Sequence, residues 1–474
     1  MPRHSSALAH SAVVVALLSL SACGGGGGGG GNPGPPNPPA TTYTVGGTVA
    51  GLTGSGLTLA LNGGGNLTIS GNGAFTFAGA LAGGASYNVT VTTQPSTPRQ
   101  VCTVSGGTGA VATANVTSVS VTCAVAGRFA YVANNGLNNI ESVSAYSINR
   151  TTGLLTPVAG SPFPAGHTPY SLAIHPNGKF LYVVDPVGMP VNGALTVFSI
   201  NETTGVLSPI AGSPFVVSTG LAQIAIERSG KFAYAPNIGS ATVSAFTLDP
   251  GTGAPTLVSA GPFSCVGSAL SVTIDPNGQF VFVGTSGGGP NNSGAICVFA
   301  IDSSTGALSL ISSPYPITDI SVRSMAFDPA GNFLFAASLS GISVFRATPS
   351  GNLSLVVGSP FAAGANPERI AMDPAGKFLY VGNQSRGSGS QITALAFDSS
   401  NGTLATIAGS PFPSNDTPAF IAIDPSGDFL FASNLDSNTI TVYAVNKTTG
   451  ALTATGAPIP NGTDTNPWAI AILQ

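Results

Sequence analysis

Asp424-Pro425-Ser426-Gly427-Asp428-Phe429-Leu430-Phe431-Ala432-Ser433-Asn434 compresses a turn, an aromatic pair and a polar stop into one short phrase. Proline presets φ early in the turn and glycine takes the positive φ that closes it, so the chain reverses into an extended run. In that run Phe429 and Phe431 lie two residues apart and share one face of a strand. The same pair recurs at Phe129/Tyr131, Phe180/Tyr182, Phe232/Tyr234, Phe280/Phe282, Phe333/Phe335 and Phe378/Tyr380. Two further markers keep phase with it. One is the turn, as in Asp275-Pro276-Asn277-Gly278, Asp328-Pro329-Ala330-Gly331 and Asp373-Pro374-Ala375-Gly376; the other is a Pro step, from Pro162-Phe163 and Pro214-Phe215 to Pro411-Phe412 and Pro458-Ile459. Seven copies spaced by about 50 residues signal a propeller or a solenoid.

Within one copy, Ser171-Leu172-Ala173-Ile174 leads through His175-Pro176-Asn177-Gly178 into Phe180-Leu181-Tyr182-Val183. A third strand, Leu195-Thr196-Val197-Phe198-Ser199-Ile200, turns at Thr203-Thr204-Gly205 into a fourth. Four antiparallel strands per repeat make a propeller blade. The repeats start at Phe129 with a second-type strand, while the chain ends on a first-type strand, Pro467-Trp468-Ala469-Ile470-Ala471-Ile472. One blade must therefore be assembled from both ends of the ring.

Composition agrees with an all-β chain. Only 6% of residues are charged, against about 25% in average globular proteins, and 64 Gly and 37 Pro supply the turns. With a formal net charge of −4 and no basic patch, nucleic acid is excluded as a partner. Residues 1–22 read as a lipoprotein signal peptide: Arg3 is the positive end, an apolar stretch too short to span a membrane follows, and Leu20-Ser21-Ala22-Cys23 closes it. This resembles the bacterial lipoprotein box, which makes Cys23 the lipidated residue and the membrane a partner through that anchor. The chain is accordingly expected to be exported and held in the cell envelope, at the outer membrane or cell surface. Residues 23–42 form a Gly/Pro-rich tether; the glycine run at 24–31 lacks the Gly-Lys-Thr/Ser ending of a phosphate loop. Residues 43–125 alternate with period two, as in Leu57/Leu59/Leu61 and Tyr87/Val89/Val91, and predict a small β-sandwich. Four cysteines besides Cys23 are an even number for an oxidising compartment, and local pairing predicts Cys102 with Cys123 and Cys265 with Cys297.

Residues 129–474 resemble the seven-bladed propellers of the lactonase family and the repeat family named for its Tyr-Val-Thr-Asn strand. Tyr131-Val132-Ala133-Asn134 and Tyr380-Val381-Gly382-Asn383 carry the likeness most closely. The fold class expected is therefore all-β: a seven-bladed β-propeller over residues 126–474, preceded by a sandwich that resembles immunoglobulin-like modules near the anchors of bacterial surface lipoproteins. The resemblance implies lactone hydrolysis by Arg, His and Glu at the channel mouth, on motifs resembling Gly-Pro-Arg-His before the inner strand and Asn-Glu-Leu after the second. The positions here read Thr168-Pro169-Tyr170-Ser171 and Val184-Asp185-Pro186. The nearest charged substitutes are Arg323, Glu368 and Arg369, with His167 as a base.

The two rims of such a ring differ. One carries tight turns; the other carries longer loops at 134–141, 185–193, 285–294 and 383–391, where binding residues are expected on a rigid scaffold. Trp468, Asp185 and Arg386 are the ligand-contact candidates there, for a protein or carbohydrate ligand. The aromatic pairs read as packing between blades. The polar residues ending the second strands (Asn134, Asp185, Asn237, Thr285, Ser338, Asn383, Asn434) read as caps of loop backbone. His175 fills a slot that Asp holds in four other repeats and reads as structural. No Ser-His-Asp set, His-rich metal cluster or nucleotide loop can be assembled from spacing, so no metal and no cofactor is expected. The function expected from these residues is a surface-exposed lipoprotein whose non-catalytic propeller is a binding scaffold; the alternative is a hydrolase of the lactonase family opening a sugar lactone, similar to 6-phosphogluconolactonase.

Overall fold

The computed structural model describes residues 41–95, 100–125, 128–136, 141–166, 168–188, 192–217, 220–311, 314–384, 390–414, 416–463 and 465–473. The signal peptide, Cys23, His167 and Arg386 lie outside the described residues.

The N-terminal unit has eight strands among the described residues: β1 (Thr42–Ala50), β2 (Leu57–Leu61), β3 (Gly64–Ile69), β4 (Gly73–Ala82), β5 (Ser86–Thr93), β6 (Gln100–Ser105), β7 (Thr108–Ala110) and β8 (Val116–Val125). They form two four-stranded sheets, ordered β4-β1-β8-β6 and β3-β2-β5-β7. The alternating residues of both sheets meet in one core that includes Val45, Leu57, Leu59, Phe77, Val119 and Val121. β1 runs parallel to β8, close enough that a Cβ on Gly47 would stand 1.8 Å from the Val119 carbonyl oxygen. Cys102 faces Cys123 across β6 and β8, and the two are joined in a disulfide, as their spacing predicts.

Seven further sheets make the propeller. Numbered by their second strands, the blades are 1 (Phe129–Asn134), 2 (Phe180–Gly188), 3 (Phe232–Asn237), 4 (Phe280–Ser286), 5 (Phe333–Ser338), 6 (Phe378–Asn383) and 7 (Phe429–Asn434). In blades 2 to 7 the first strand is the one just before this in sequence. Blade 1 instead takes its first strand from the chain end: Pro467–Leu473 lies antiparallel to Phe129–Asn134, with Ile470 opposite Val132 and Leu473 opposite Phe129. The ring closes by pairing its two ends, as the strand count requires.

The Pro step adds more than the four expected strands. In six blades the residue after its proline, aromatic in five and Ile459 in blade 7, forms with the next one a two-residue strand on the third strand, as Phe163–Pro164 does on Ser142 and Val143. Blade 5 has a single bridge there, Ile342 to Phe361. The fourth strands are too short to cover the full edge of the third, and the step returns to cover the remainder. Serine before the proline helps, because its Oγ accepts the N–H of a third-strand residue: Ser161 from Ala145, Ser213 from Val197, Ser359 from Val344 and Ser410 from Ala394, at 2.9–3.0 Å.

The aromatic pairs are blade-to-blade packing. The first ring of each pair lies under the turn glycine of the next blade: a Cβ on Gly205, Gly253 or Gly306 would approach Phe129, Phe180 or Phe232 to within 2.4–2.5 Å. Those glycines also hold φ near +75°, so two constraints select Gly there. The second residue of the pair is fully buried in every blade. Where it is Tyr, its hydroxyl donates to the carbonyl of that same glycine, from Tyr131 to Gly205, Tyr182 to Gly253, Tyr234 to Gly306 and Tyr380 to Gly450, at 2.8–3.2 Å. Burial pushes these phenols far above their ordinary range and keeps them protonated as donors. The second disulfide, Cys265–Cys297, ties the end of blade 3 to the third strand of blade 4.

Candidate functional site

The site is built by a repeated irregularity at the start of the inner strands. In blade 6, Pro367 pairs with Asn383 and Arg369 with Gly382, which leaves Glu368 between them without a partner across the sheet. Leu270, Ala419 and Trp468 are extra residues of the same kind in blades 4, 7 and 1. Tyr170, Ala222 and Arg323 hold that place in blades 2, 3 and 5, each donating its N–H to the second strand, at Val184, Pro236 and Ala337. A bulge adds one residue to a strand and re-aims its side chain. Here it gives one side chain per blade around the channel mouth on the long-loop rim.

Five of these seven, Tyr170, Ala222, Leu270, Arg323 and Glu368, line a single cavity of about 280 Å³, joined by Arg369, by Ser286 at the end of the second strand of blade 4, and by Ile238, Ile320 and Ser321 from the loops. Arg323 and Glu368 form an ion pair through Nη1 and Oε2 and remain partly open to the cavity. The same Nη1 donates to Asn366 Oδ1 at 3.3 Å, and Asn366 in turn donates from Nδ2 to the Gln384 carbonyl at 2.6 Å. Asn366 holds this place with φ +59°, a conformation that asparagine tolerates better than most residues. Arg369 is 5% exposed; its Nη1 donates to the Arg323 carbonyl oxygen at 2.8 Å and its guanidinium lies 5.3 Å from the Phe420 ring centroid. Its Nε is buried without a protein acceptor among the described residues. On the opposite side Tyr170 lies against Trp468, with ring centroids 5.0 Å apart.

The candidates named from sequence divide accordingly. Arg323, Glu368 and Arg369 come together in the cavity. Trp468 is half-buried behind Tyr170, its indole nitrogen without an acceptor among the described residues. Asp185 is buried within the second strand of blade 2, where Oδ1 accepts the Thr168 hydroxyl at 2.5 Å. The asparagines at the equivalent positions bond third-strand hydroxyls rather than loop backbone: Asn134 donates to Ser142 and Ser144, Asn383 to Thr393, and Asn434 to Thr439 and Thr441. Sequence reasoning did not single out Tyr170, Ile238, Leu270 or Ile320 as site residues. A phase count finds two of them: Tyr170, Ala222, Leu270, Arg323, Glu368 and Ala419 each stand ten residues before the first aromatic of their repeat. Ile238 and Ile320 lie in loops outside that count.

A smaller cavity of about 100 Å³ on the tight-turn rim is lined by Asp275, Asn277 and Gln279 among others. Asp275 spends its oxygens on the backbone N–H groups of Asn277, Gln279 and Phe280 at 2.6–3.1 Å, so it has little to offer a ligand. Among the described residues no three His, Cys, Asp or Glu side chains gather in a metal-binding group.

The sequence matches the family described as lactonase, 7-bladed beta-propeller, over residues 91–218, 266–365 and 354–466. No curated protein matches it significantly. Among solved structures, a Bacteroides uniformis protein provisionally named a 6-phosphogluconolactonase is 22% identical, with 73% of this chain and 99% of that one covered at a TM-score of 0.61. A Bacteroides fragilis protein of the same provisional name is 18% identical, covering 74% and 98% at 0.60. The periplasmic gluconolactonase of Pseudomonas aeruginosa is 19% identical, covering 73% and 99% at 0.57. At these identities the structural likeness shows the fold alone. The family match overturns the expectation of a non-catalytic binding scaffold and favours the lactonase alternative. The expectation rested on the departure from the family's motifs at residues 168–171 and 184–186 and on the scarcity of titratable groups; the charged residues of the cavity sit on blades 5 and 6.

Proposed function

The chain belongs to the lactonase, 7-bladed beta-propeller family, and from that premise we propose that it opens a lactone ring by adding water, a sugar lactone being the class its neighbours' names indicate. The observation that carries this reading is the Arg323–Glu368 pair, open to one cavity beside Arg369. Lactone opening needs a base to take a proton from water and a cation or hydrogen-bond donor to hold the negative charge that develops on the carbonyl oxygen. Glu368 supplies the carboxylate and Arg323 the guanidinium. Water adds to the carbonyl carbon as Glu368 takes its proton; the bond from that carbon to the ring oxygen then breaks. The ring oxygen leaves as an alcohol with the proton that Glu368 returns, and the product is a hydroxy acid. Arg369 is a positioning residue: through the Arg323 carbonyl it fixes the backbone from which Arg323 projects.

The test is hydrolysis of D-glucono-δ-lactone above its spontaneous rate, compared with Glu368→Gln and Arg323→Ala. Each variant is expected to lose about 100-fold or more of kcat/KM, the usual weight of a general base or an oxyanion donor, with an unchanged melting temperature. A parent no faster than the spontaneous reaction, or variants as fast as the parent, refutes the assignment.

The remaining expectations concern export. Residues 1–22 act as a lipoprotein signal, Cys23 carries the lipid, and residues 23–42 tether an immunoglobulin-like spacer and the propeller to the cell envelope. Two disulfides, rare in a reducing cytosol, support this. Replacing Cys23 by Ser should release the protein from the detergent phase into the aqueous phase; retention in detergent refutes lipidation at that residue.

A further inference from the structure

The cavity is divided by blade order. Blades 5 and 6 contribute Arg323, Glu368 and Arg369, whereas blades 3 and 4 contribute Ala222, Ile238, Leu270 and Ser286, and Ile320 and Ser321 enter between blades 4 and 5. Ala222, Ile238, Leu270 and Ile320 offer no side-chain hydrogen bond, and the hydroxyls on this wall are those of Ser286 and Ser321. Ile238 and Ile320 are 41% and 56% exposed, large apolar side chains left open at the rim of a cavity. They are held there by firm backbone bonds. The Ile320 N–H donates to Asp319 Oδ1 at 2.6 Å, its carbonyl accepts from Gly287 at 3.0 Å, and Asp319 is itself fixed by the Ser340 N–H at 2.7 Å. Ile238 donates its N–H to the Gly220 carbonyl at 2.8 Å. A ligand bearing hydroxyls on every carbon would press some of them against this wall, and a buried hydroxyl without a partner costs free energy. An apolar substituent would gain by the same burial.

We propose that the lactone taken by this site carries an apolar substituent, with the ring carbonyl at Arg323 and Glu368 and the substituent along Leu270, Ile238 and Ile320. This rests on the lactonase reading of the same cavity and adds the substrate class. At about 280 Å³ the cavity lies just below the range of about 300–1,000 Å³ that takes drug-sized ligands, so the substituent is short.

Two measurements separate this proposal from the reading beneath it. The first is kcat/KM for δ-lactones with linear alkyl substituents from methyl to octyl, against D-glucono-δ-lactone. The expected result is a rise of roughly threefold to fourfold per methylene until the cavity is filled, flattened in Ile320→Asn. The second is binding of the matching lactams, which resist hydrolysis, read by fluorescence of Trp468, the single tryptophan of the chain, through its contact with Tyr170 at the cavity. Dissociation constants are expected to fall along the same series. Opening of gluconolactone with no dependence on chain length overturns the apolar substituent and leaves the lactonase reading intact. Tighter binding of longer lactams with no lactone opened overturns the lactonase reading and supports the apolar wall as a ligand site. No lactam binding and no turnover overturn both.

Discussion

On the tight-turn rim of the propeller, one solution is used again and again. Asp275, Asp328, Asp373 and Asp424 are buried and turn their carboxylates onto the backbone N–H groups of their own hairpins. Glu227 does likewise in blade 3, and His175 in blade 2 accepts from Asn177. On the long-loop rim the matching position changes at every blade, from Tyr170 through Ala222, Leu270, Arg323, Glu368 and Ala419 to Trp468. A rim that repeats is satisfying its own backbone; a rim that varies is free to be fitted to something else. The comparison predicts that changes on the first rim cost stability and leave chemistry alone, and that changes on the second do the reverse.

The largest test removes the closure that both rims depend on. Deleting residues 467–474 takes away the inner strand of blade 1 and leaves one hydrogen-bonding edge of Phe129–Asn134 unpaired, a strand whose side chains are all buried. The propeller is expected to lose its cooperative thermal transition; an unchanged melt would falsify closure by the chain end.

Next in size is the ion pair at the same seam. In blades 2 to 6 each turn is covered by the turn glycine of its successor, as Pro276 is by Gly331 and Pro374 by Gly427. Blade 7 has no successor turn, because the first and second strands of blade 1 come from opposite ends of the ring. Arg128 fills that gap, buried, paired through Nη2 with Asp424 and donating to Ser426 Oγ at 3.1 Å. Arg128→Ala leaves Asp424 buried and is expected to cost about 3–5 kcal/mol in denaturant unfolding. Arg323→Ala, at the partly open pair of the other rim, is expected to cost less than about 1 kcal/mol. Equal losses would erase the distinction between the rims.

Smaller again is the bond between blades made by the buried tyrosines. Tyr182→Phe removes the donor to Gly253 and is expected to cost about 1 kcal/mol, without altering lactone opening. Blades 4, 5 and 7 already carry Phe at this position and hold. A change in turnover would tie the scaffold to the chemistry.

Scaffold features were legible in the sequence because each repeats with a physical reason attached. The aromatic pair, the Pro step and the Asp-Pro-x-Gly turn recur in phase, and their roles as packing, edge cover and hairpin follow from residue type. Blade closure by Pro467–Leu473 and both disulfides followed from counting. The site was legible only in part. Arg323, Glu368 and Arg369 stood out as rare charges in a chain with few of them. Their assembly was hidden, because one added residue per inner strand decides which side chain faces the cavity, and a bulge leaves no mark in the pattern of apolar residues. Ile238 and Ile320 were hidden for a different reason: an isoleucine in a loop looks like any apolar residue until the loop is fixed in place.

The smallest effect tests the imidazole that stands among carboxylates on the repetitive rim. His175 Nε2 faces the Gly230 carbonyl at 2.9 Å and Nδ1 faces the Asn177 N–H at 3.1 Å, so the neutral ring with its proton on Nε2 satisfies both. A second proton would set one donor against another, and burial drives the histidine pKa below its ordinary value of 6.5. The unfolded chain therefore binds that proton more readily than the folded one. Stability from this group is complete above about pH 6.5 and is lost as the pH falls from there through the folded value. His175→Asp installs the side chain that four other blades use and removes this titration. Between pH 7.5 and 5.5 the melting temperature of the parent is expected to fall further than that of the variant, by a fraction of what Arg128→Ala removes. Parallel curves would show that the imidazole is held no differently in the folded chain than in water, and that blade 2 departs from its neighbours in residue type alone.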